Sequence, residues 1–397
     1  MSGTATAGPD PAEYGPAGGS GLGLGARLAA VADTASGPAA AVVAVRAGEP
    51  AVLCRGVTEA TRFELGSVTK TFTALLLAEL AARGEVRADE PIAGRLPGLA
   101  VPRGLGDRIT FEHLATHTAG LPRLPPGLLR RALPRWFTNP YETFTPEHLL
   151  RSLPRVRVRR PPGERVRYSN LGVGLLGQLL GEAVRAGHPD LTGHPDPTGY
   201  AAALTARVLA PLGLADTTCD PELPQATGHF HHRPRPPWRI PGLPGAGALR
   251  SSPRDLLRYL TVLLDPPDGP AQIPGTLRTA LHDVIRPRIT EPGGDRVCLV
   301  WKSRLLTADD GTLRELLFHS GGTRGFTSFA GFSPTTGTAL AALTNGSPTL
   351  RGTFIHTAYR TLRELALETP PRQPPVRRPE TAYPAEPRPG ARQPEAQ

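Results

Sequence analysis

The chain has 397 residues, 45 Lys+Arg against 35 Asp+Glu, and a net charge of +10. That length is enough to bury a large core, and no run approaches the eighteen or so apolar residues that a membrane-spanning helix needs. Aromatics make up only 5% and no nucleic-acid reader motif occurs, so the basic balance alone does not point to nucleic acid. Three scattered cysteines, Cys54, Cys219 and Cys298, offer neither a disulfide framework nor a metal-ligand cluster.

In chain order, residues 1–25 are rich in Gly, Ala, Ser and Pro, without a basic start or an apolar stretch. They read as a disordered arm rather than a secretory signal, and a reduced cytoplasm is the expected location. Leu28–Thr34 predicts a helix; Ala40–Arg46 and Ala51–Val57, split by Ala47-Gly48-Glu49-Pro50, predict a strand hairpin. An apolar helical run from Ala74 to Ala82 follows Ser67 and Lys70 and ends near Gly84. Ile109–Thr118 predicts a helix with His113 and His117 four residues apart; without a third ligand, packing or hydrogen bonding suits them better than metal. Residues 120–162 read as irregular and rich in Arg and Pro, with Trp136, Phe137, Tyr141 and Phe144 as a satellite core or a pocket wall. Helices are expected at Leu171–Val184, Tyr200–Leu212 and from Ser252-Pro253 to Leu264. His229, His231 and His232 lie in a Pro/Arg loop without carboxylates, a poor metal site. Strands follow at Arg296–Lys302, Leu313–Phe318, Thr327–Phe332 and Thr338–Thr344, then a helix at Thr353–Glu368 and a disordered Pro/Arg tail at 369–397.

The expected fold is therefore α+β: an antiparallel sheet formed from both ends of the chain and flanked by helices. One catalytic domain is expected over 26–368, with a helical subdomain inserted at about 85–250.

The stretch Phe63-Glu64-Leu65-Gly66-Ser67-Val68-Thr69-Lys70 carries the chemistry. Residues three apart share a helix face, so the Ser67 hydroxyl and the Lys70 amine can meet there. Such a pair also occurs at ordinary helix starts. Composition sharpens the signal: only two lysines, Lys70 and Lys302, stand among the 45 basic residues. Arginine keeps its proton and cannot be a general base, whereas a lysine with a lowered pKa can. Two further phrases stand out. Tyr168-Ser169-Asn170 holds one of only three asparagines, and His319-Ser320-Gly321-Gly322 brings glycines that admit a close backbone approach.

In this order the three phrases resemble the serine β-lactamase and penicillin-binding-protein superfamily, nearest to class C β-lactamases and their D-aminopeptidase, esterase and transesterase relatives. The flanking phrases Phe63-Glu64-Leu65-Gly66-Ser67, His113 to Pro122, Pro162-Gly163-Glu164 and Leu343-Thr344-Asn345-Gly346 fit as well, so the resemblance covers roughly 25–368. It implies Ser67 as acyl-accepting nucleophile and Lys70 with Tyr168 as the general-base pair. It further implies Asn170, His319, Ser320 and Gly321 at the substrate, and the N–H groups of Ser67 and Gly322 as oxyanion hole, with no metal and no cofactor. His319 stands where many β-lactamases have lysine, and an ordinary histidine is mostly neutral at pH 7. An ester, amide or thioester is therefore favoured over a β-lactam.

Three functions remain open at this point: a serine hydrolase of small esters, amides or peptides; a transacylase passing the acyl group to an amine or alcohol; and a catalytically silent binding module. An α/β-hydrolase is disfavoured, because no Gly-x-Ser-x-Gly elbow follows a strand. The partner expected is a small acyl substrate, anionic or carrier-linked. Residues 123–167 hold eleven arginines against three acids, which suits either a solvated insertion or the attraction of such an anion.

Overall fold

The computed structural model describes residues 22–96, 100–135, 138–188, 198–267 and 273–372. Its centre is an eight-stranded antiparallel sheet. In chain order the strands are Ala40–Arg46 (β1), Glu49–Arg55 (β2), Ile289–Thr290 (β3), Arg296–Val297 (β4), Lys302–Thr307 (β5), Leu313–Gly322 (β6), Thr327–Ser333 (β7) and Thr338–Thr344 (β8). Their spatial order is β2-β1-β8-β7-β6-β5-β4-β3, so the first hairpin joins the last strands through β1 and β8. The register is continuous from Ala40↔Thr344 to Val45↔Ala339.

β1 is apolar at nearly every position because both of its faces are covered. Ala41, Val43 and Val45 join the larger core, with Leu317, Ala330 and Leu343. The alternate residues Ala40, Val42 and Ala44 face a second core, against helices α1 (Leu24–Asp33) and α7 (Thr353–Glu368). Helices α2 (Thr69–Ala82), α3 (Phe111–Ala115), α4 (Asn170–Gly187), α5 (Pro253–Leu264) and α6 (Gly275–Val284) lie on the first side. α2 is buried along nearly its whole length, and this explains why its apolar residues are spread round the helix rather than gathered in one stripe.

Several expectations shift. α1 begins at Leu24, so Leu24 and Gly25 are helical rather than part of an arm; residues 1–21, like most of 369–397, lie outside the described residues. The expected helix 109–118 shrinks to Phe111–Ala115 and leaves His117 in the left-handed region at φ 60, so His113 and His117 do not share a helix face. His113 instead completes a capping box with Thr110, its Nδ1 accepting the Thr110 N–H at 3.1 Å. The expected strand Arg296–Lys302 breaks at Cys298–Trp301, where Val300 turns at φ 68 and its N–H reaches Ala115 O. The expected helix Tyr200–Leu212 is α-helical only to Leu204 and widens over Thr205–Leu209. Phe144 joins the main core and Tyr141 packs on Trp238, while Trp136 and Phe137 lie outside the described residues. Among the described residues no helix is long and apolar enough to cross a membrane.

Candidate active site

Ser67 lies in a single tight turn, Gly66–Val68, that runs straight into α2. Gly66 takes φ 49, and a Cβ there would sit 2.6 Å from Gly322 N. Gly321 is as tightly placed: a Cβ on it would fall 2.1 Å from Leu65 O and 2.9 Å from Ser67 N. The two glycines therefore let the Ser67 turn press against the end of β6, bringing the backbones of Ser67 and Gly322 close together. Thr323 fixes the far side of this contact. Its hydroxyl donates to Glu64 Oε2 at 2.7 Å and accepts the N–H groups of Gly325 and Phe326 at 3.2 and 3.1 Å.

Hydrogen bonding along β6 leaves an open edge here. β5 pairs with β6 only as far as Lys302↔Phe318, so residues 319–322 have a strand neighbour on the β7 side alone. Thr323 N–H bonds Phe326 O at 3.0 Å, and antiparallel alternation then leaves Gly322 out of the β6–β7 ladder. Its N–H is free to meet something other than protein backbone.

Lys70 and Tyr168 converge on the serine. Lys70 is fully buried; its Nζ lies 2.9 Å from Ser67 Oγ and donates to Ala246 O at 2.7 Å. The Tyr168 hydroxyl donates to the same Oγ at 2.8 Å. Burial first, and the Arg123 guanidinium second, hold the Lys70 amine well below its usual pKa. Burial pushes the Tyr168 phenol up to about 12, so it stays protonated at neutral pH. Ala246 reaches Lys70 because Gly245 packs against Gly177 of α4, where a Cβ on either glycine would fall 2.9 Å from the other's Cα.

Tyr168 directly precedes the cap of α4. Ser169 Oγ accepts Gly172 N–H at 2.9 Å and donates to Pro122 O at 2.7 Å, while Arg123 O accepts Asn170 N–H at 2.9 Å. Asn170 Nδ2 donates to the Tyr141 hydroxyl at 3.4 Å, and its Oδ1 is buried without a partner. His319 lies 6.3 Å from the Tyr168 ring; burial, then Lys70, pushes its pKa down to about 3, so its imidazole is neutral.

Six of the expected residues thus meet: Ser67, Lys70, Tyr168 and His319 as side chains, Gly321 and Gly322 as backbone. Asn170 adjoins them. Ser320 does not, because strand alternation turns its side chain to the face opposite His319, and it offers its carbonyl, which accepts from His319 Nδ1 at 2.9 Å. Sequence reasoning gave three neighbours no place in the site. His117 is 5% exposed, stacks 4.6 Å from Tyr168 and accepts Ser169 N–H at 3.3 Å through Nδ1. Arg123 holds its guanidinium 5.7 Å from the Tyr168 ring. Ala246 contributes only a carbonyl, which no side-chain pattern signals. Among the described residues no three His, Cys, Asp or Glu side chains gather as a metal site.

This sheet, with a lysine and a tyrosine converging on one serine, marks a protein of the β-lactamase type. The chain belongs to the Beta-lactamase family, whose model matches residues 26–363. It is 30% identical over 200 residues to the D-alanyl-D-alanine-carboxypeptidase/endopeptidase AmpH of Escherichia coli (strain K12), covering 49% of this chain and 47% of that protein. It is 32% identical over 189 residues to a β-lactamase of the same strain, covering 45% and 43%. The matched segment thus spans about half the length of these curated relatives. Among solved structures, the class C β-lactamase from Rhodobacter sphaeroides superposes with a TM-score of 0.68 at 22% identity, covering 86% of this chain and 98% of that one. The β-lactamase from Sulfitobacter sp. EE-36 gives 0.67 at 22%, covering 86% and 95%. These structures share the fold.

Proposed function

We propose that the protein cleaves a small ester, amide or peptide through an acyl intermediate on Ser67. The observation that carries this reading is the double approach to one hydroxyl, Lys70 Nζ at 2.9 Å and Tyr168 OH at 2.8 Å. Lys70, whose burial favours the neutral amine, takes the Oγ proton as the bond from Oγ to the substrate carbonyl carbon forms. The carbonyl electron pair moves onto oxygen, between the N–H groups of Ser67 and Gly322. Collapse breaks the bond to the leaving group, which receives its proton from the Lys70 ammonium by way of the Tyr168 phenol. With its pKa near 12, Tyr168 acts as a relay rather than as a resting base. Water then adds to the acyl carbon as Lys70 takes its proton, and the bond from the acyl carbon to Oγ breaks as Lys70 returns that proton to Ser67, releasing the acid.

The unpartnered Asn170 Oδ1 suits an amide N–H of the substrate. The relative named as a carboxypeptidase/endopeptidase supports a peptide or amide substrate. Neutral His319 offers no fixed cation for a β-lactam carboxylate, so β-lactam turnover is expected to be slow.

Intact-protein mass spectrometry after brief exposure to p-nitrophenyl esters, a D-amino-acid amide and a β-lactam tests this. Wild type is expected to carry an acyl adduct; Ser67→Ala is expected to carry none and to lose about a thousandfold or more in ester hydrolysis. Folded wild type that takes up no acyl group from any donor overturns the proposal. Adduct clearance that accelerates with added amine would instead make the protein an acyltransferase.

A further inference from the structure

A second concavity lies behind the turn that carries His117. It has a volume of about 530 Å³ and is lined by Arg157, Arg159, Arg160, Arg165 and Arg167, with Thr118 among the other residues of its wall. All five arginine side chains are exposed, and none of them forms an ion pair among the described residues. Like charges gathered round one recess repel each other, and the low-dielectric walls concentrate their field. A bound anion relieves both effects.

The frame beneath these side chains is fixed by backbone bonds. Gly163 N–H bonds Thr118 O at 3.0 Å, and Arg167 N–H bonds His117 O at 2.7 Å. On the other side, Arg103 N–H bonds Val156 O at 2.8 Å and Leu105 N–H bonds Val158 O at 3.1 Å. Less ordering is therefore left to be done on binding.

We propose that this recess binds a small molecule bearing two or more phosphoryl groups. Guanidinium forks match phosphate oxygens in pairs, and five of them exceed what a single carboxylate can engage. The lining contains no aromatic side chain, so it has no platform on which nucleic-acid bases could stack. The phosphoryl group itself is the recognised feature. The recess is built on the same two loops that present His117 and Tyr168, yet it needs no chemistry at Ser67 to be occupied.

Isothermal titration of the full chain with inorganic pyrophosphate at low ionic strength tests the site. Wild type and Ser67→Ala are both expected to take up one pyrophosphate per chain. Arg159→Gln/Arg160→Gln and Arg165→Gln/Arg167→Gln are each expected to weaken binding by about tenfold or more. Arg351→Gln/Arg360→Gln removes the same charge elsewhere and is expected to bind within about twofold of wild type. Because the five arginines are exposed, the melting curves of the variants are expected to match wild type, so loss of binding reads the site. Equal weakening by the distant pair overturns the proposal, since general charge attraction would then suffice. So does the absence of saturable binding at about 1 mM pyrophosphate, or binding of single-stranded oligonucleotide alone.

Discussion

Lys70 carries the pH dependence of the proposed mechanism, and Arg123 adjusts it. The amine must be neutral to accept the Ser67 proton, so activity falls as pH drops through the Lys70 pKa. Arg123 lowers that pKa by electrostatic repulsion of the ammonium, and it forms no ion pair of its own among the described residues. Arg123→Gln is therefore expected to move the acid limb of kcat/KM to higher pH, while Arg123→Lys, which keeps the charge, leaves it in place. A limb unchanged in Arg123→Gln would remove Arg123 from this role. The two histidines behave in the opposite way to free imidazoles. His117 and His319 are both held neutral chiefly by burial. Their ring-proton NMR shifts are expected to stay flat between about pH 5 and 8, where an unperturbed histidine titrates; a transition near 6.5 at either would contradict this.

At the scale of elements, the contact between the Ser67 turn and β6 sets the geometry of the proposed oxyanion site. Gly66→Ala would place a methyl 2.6 Å from Gly322 N, in a backbone conformation that already disfavours a side chain. Losing the paired donors is expected to lower kcat by about a hundredfold; a variant with full kcat would show that the two N–H groups do not work together. Much of this element was legible in advance. Ser67, Lys70, Tyr168 and the glycines after His319 are local phrases whose residue types state their chemistry. What stayed hidden was whatever depends on approach across the fold. The Ala246 carbonyl is an ordinary backbone group, and only the contact of Gly177 with Gly245 delivers it to Lys70. His117 was visible as half of a helical pair, but the left-handed turn at that residue gave it a different partner, Tyr168. Ser320 was placed at the substrate because the phrase was read as a unit, while strand alternation divides it between two faces.

At the scale of the whole molecule, the joining of both ends in one sheet was readable because the strand-like apolar runs lie near the two ends of the described chain. Boundaries also failed at Cys298–Trp301, where an apolar run breaks as Val300 N–H bonds Ala115 O, and at Thr205–Leu209, where the helix widens. The pairing of β1 with β8 joins residues some three hundred positions apart in sequence, and the contact of Gly66 with Gly322 spans a comparable separation. Loops of that size close slowly, and their entropy must be lost before the contact returns anything. The proposed oxyanion site is thus expected to be among the last features a refolding chain acquires. Helical circular dichroism is expected to recover first, and the capacity of Ser67 to be acylated only in the slowest phase. Acylation that returned together with the helical signal would mean that the first and last strands meet early. If the order holds, a partly folded chain can already look helical while having no means of attacking a substrate, and reactivity becomes the strictest available assay of a finished fold.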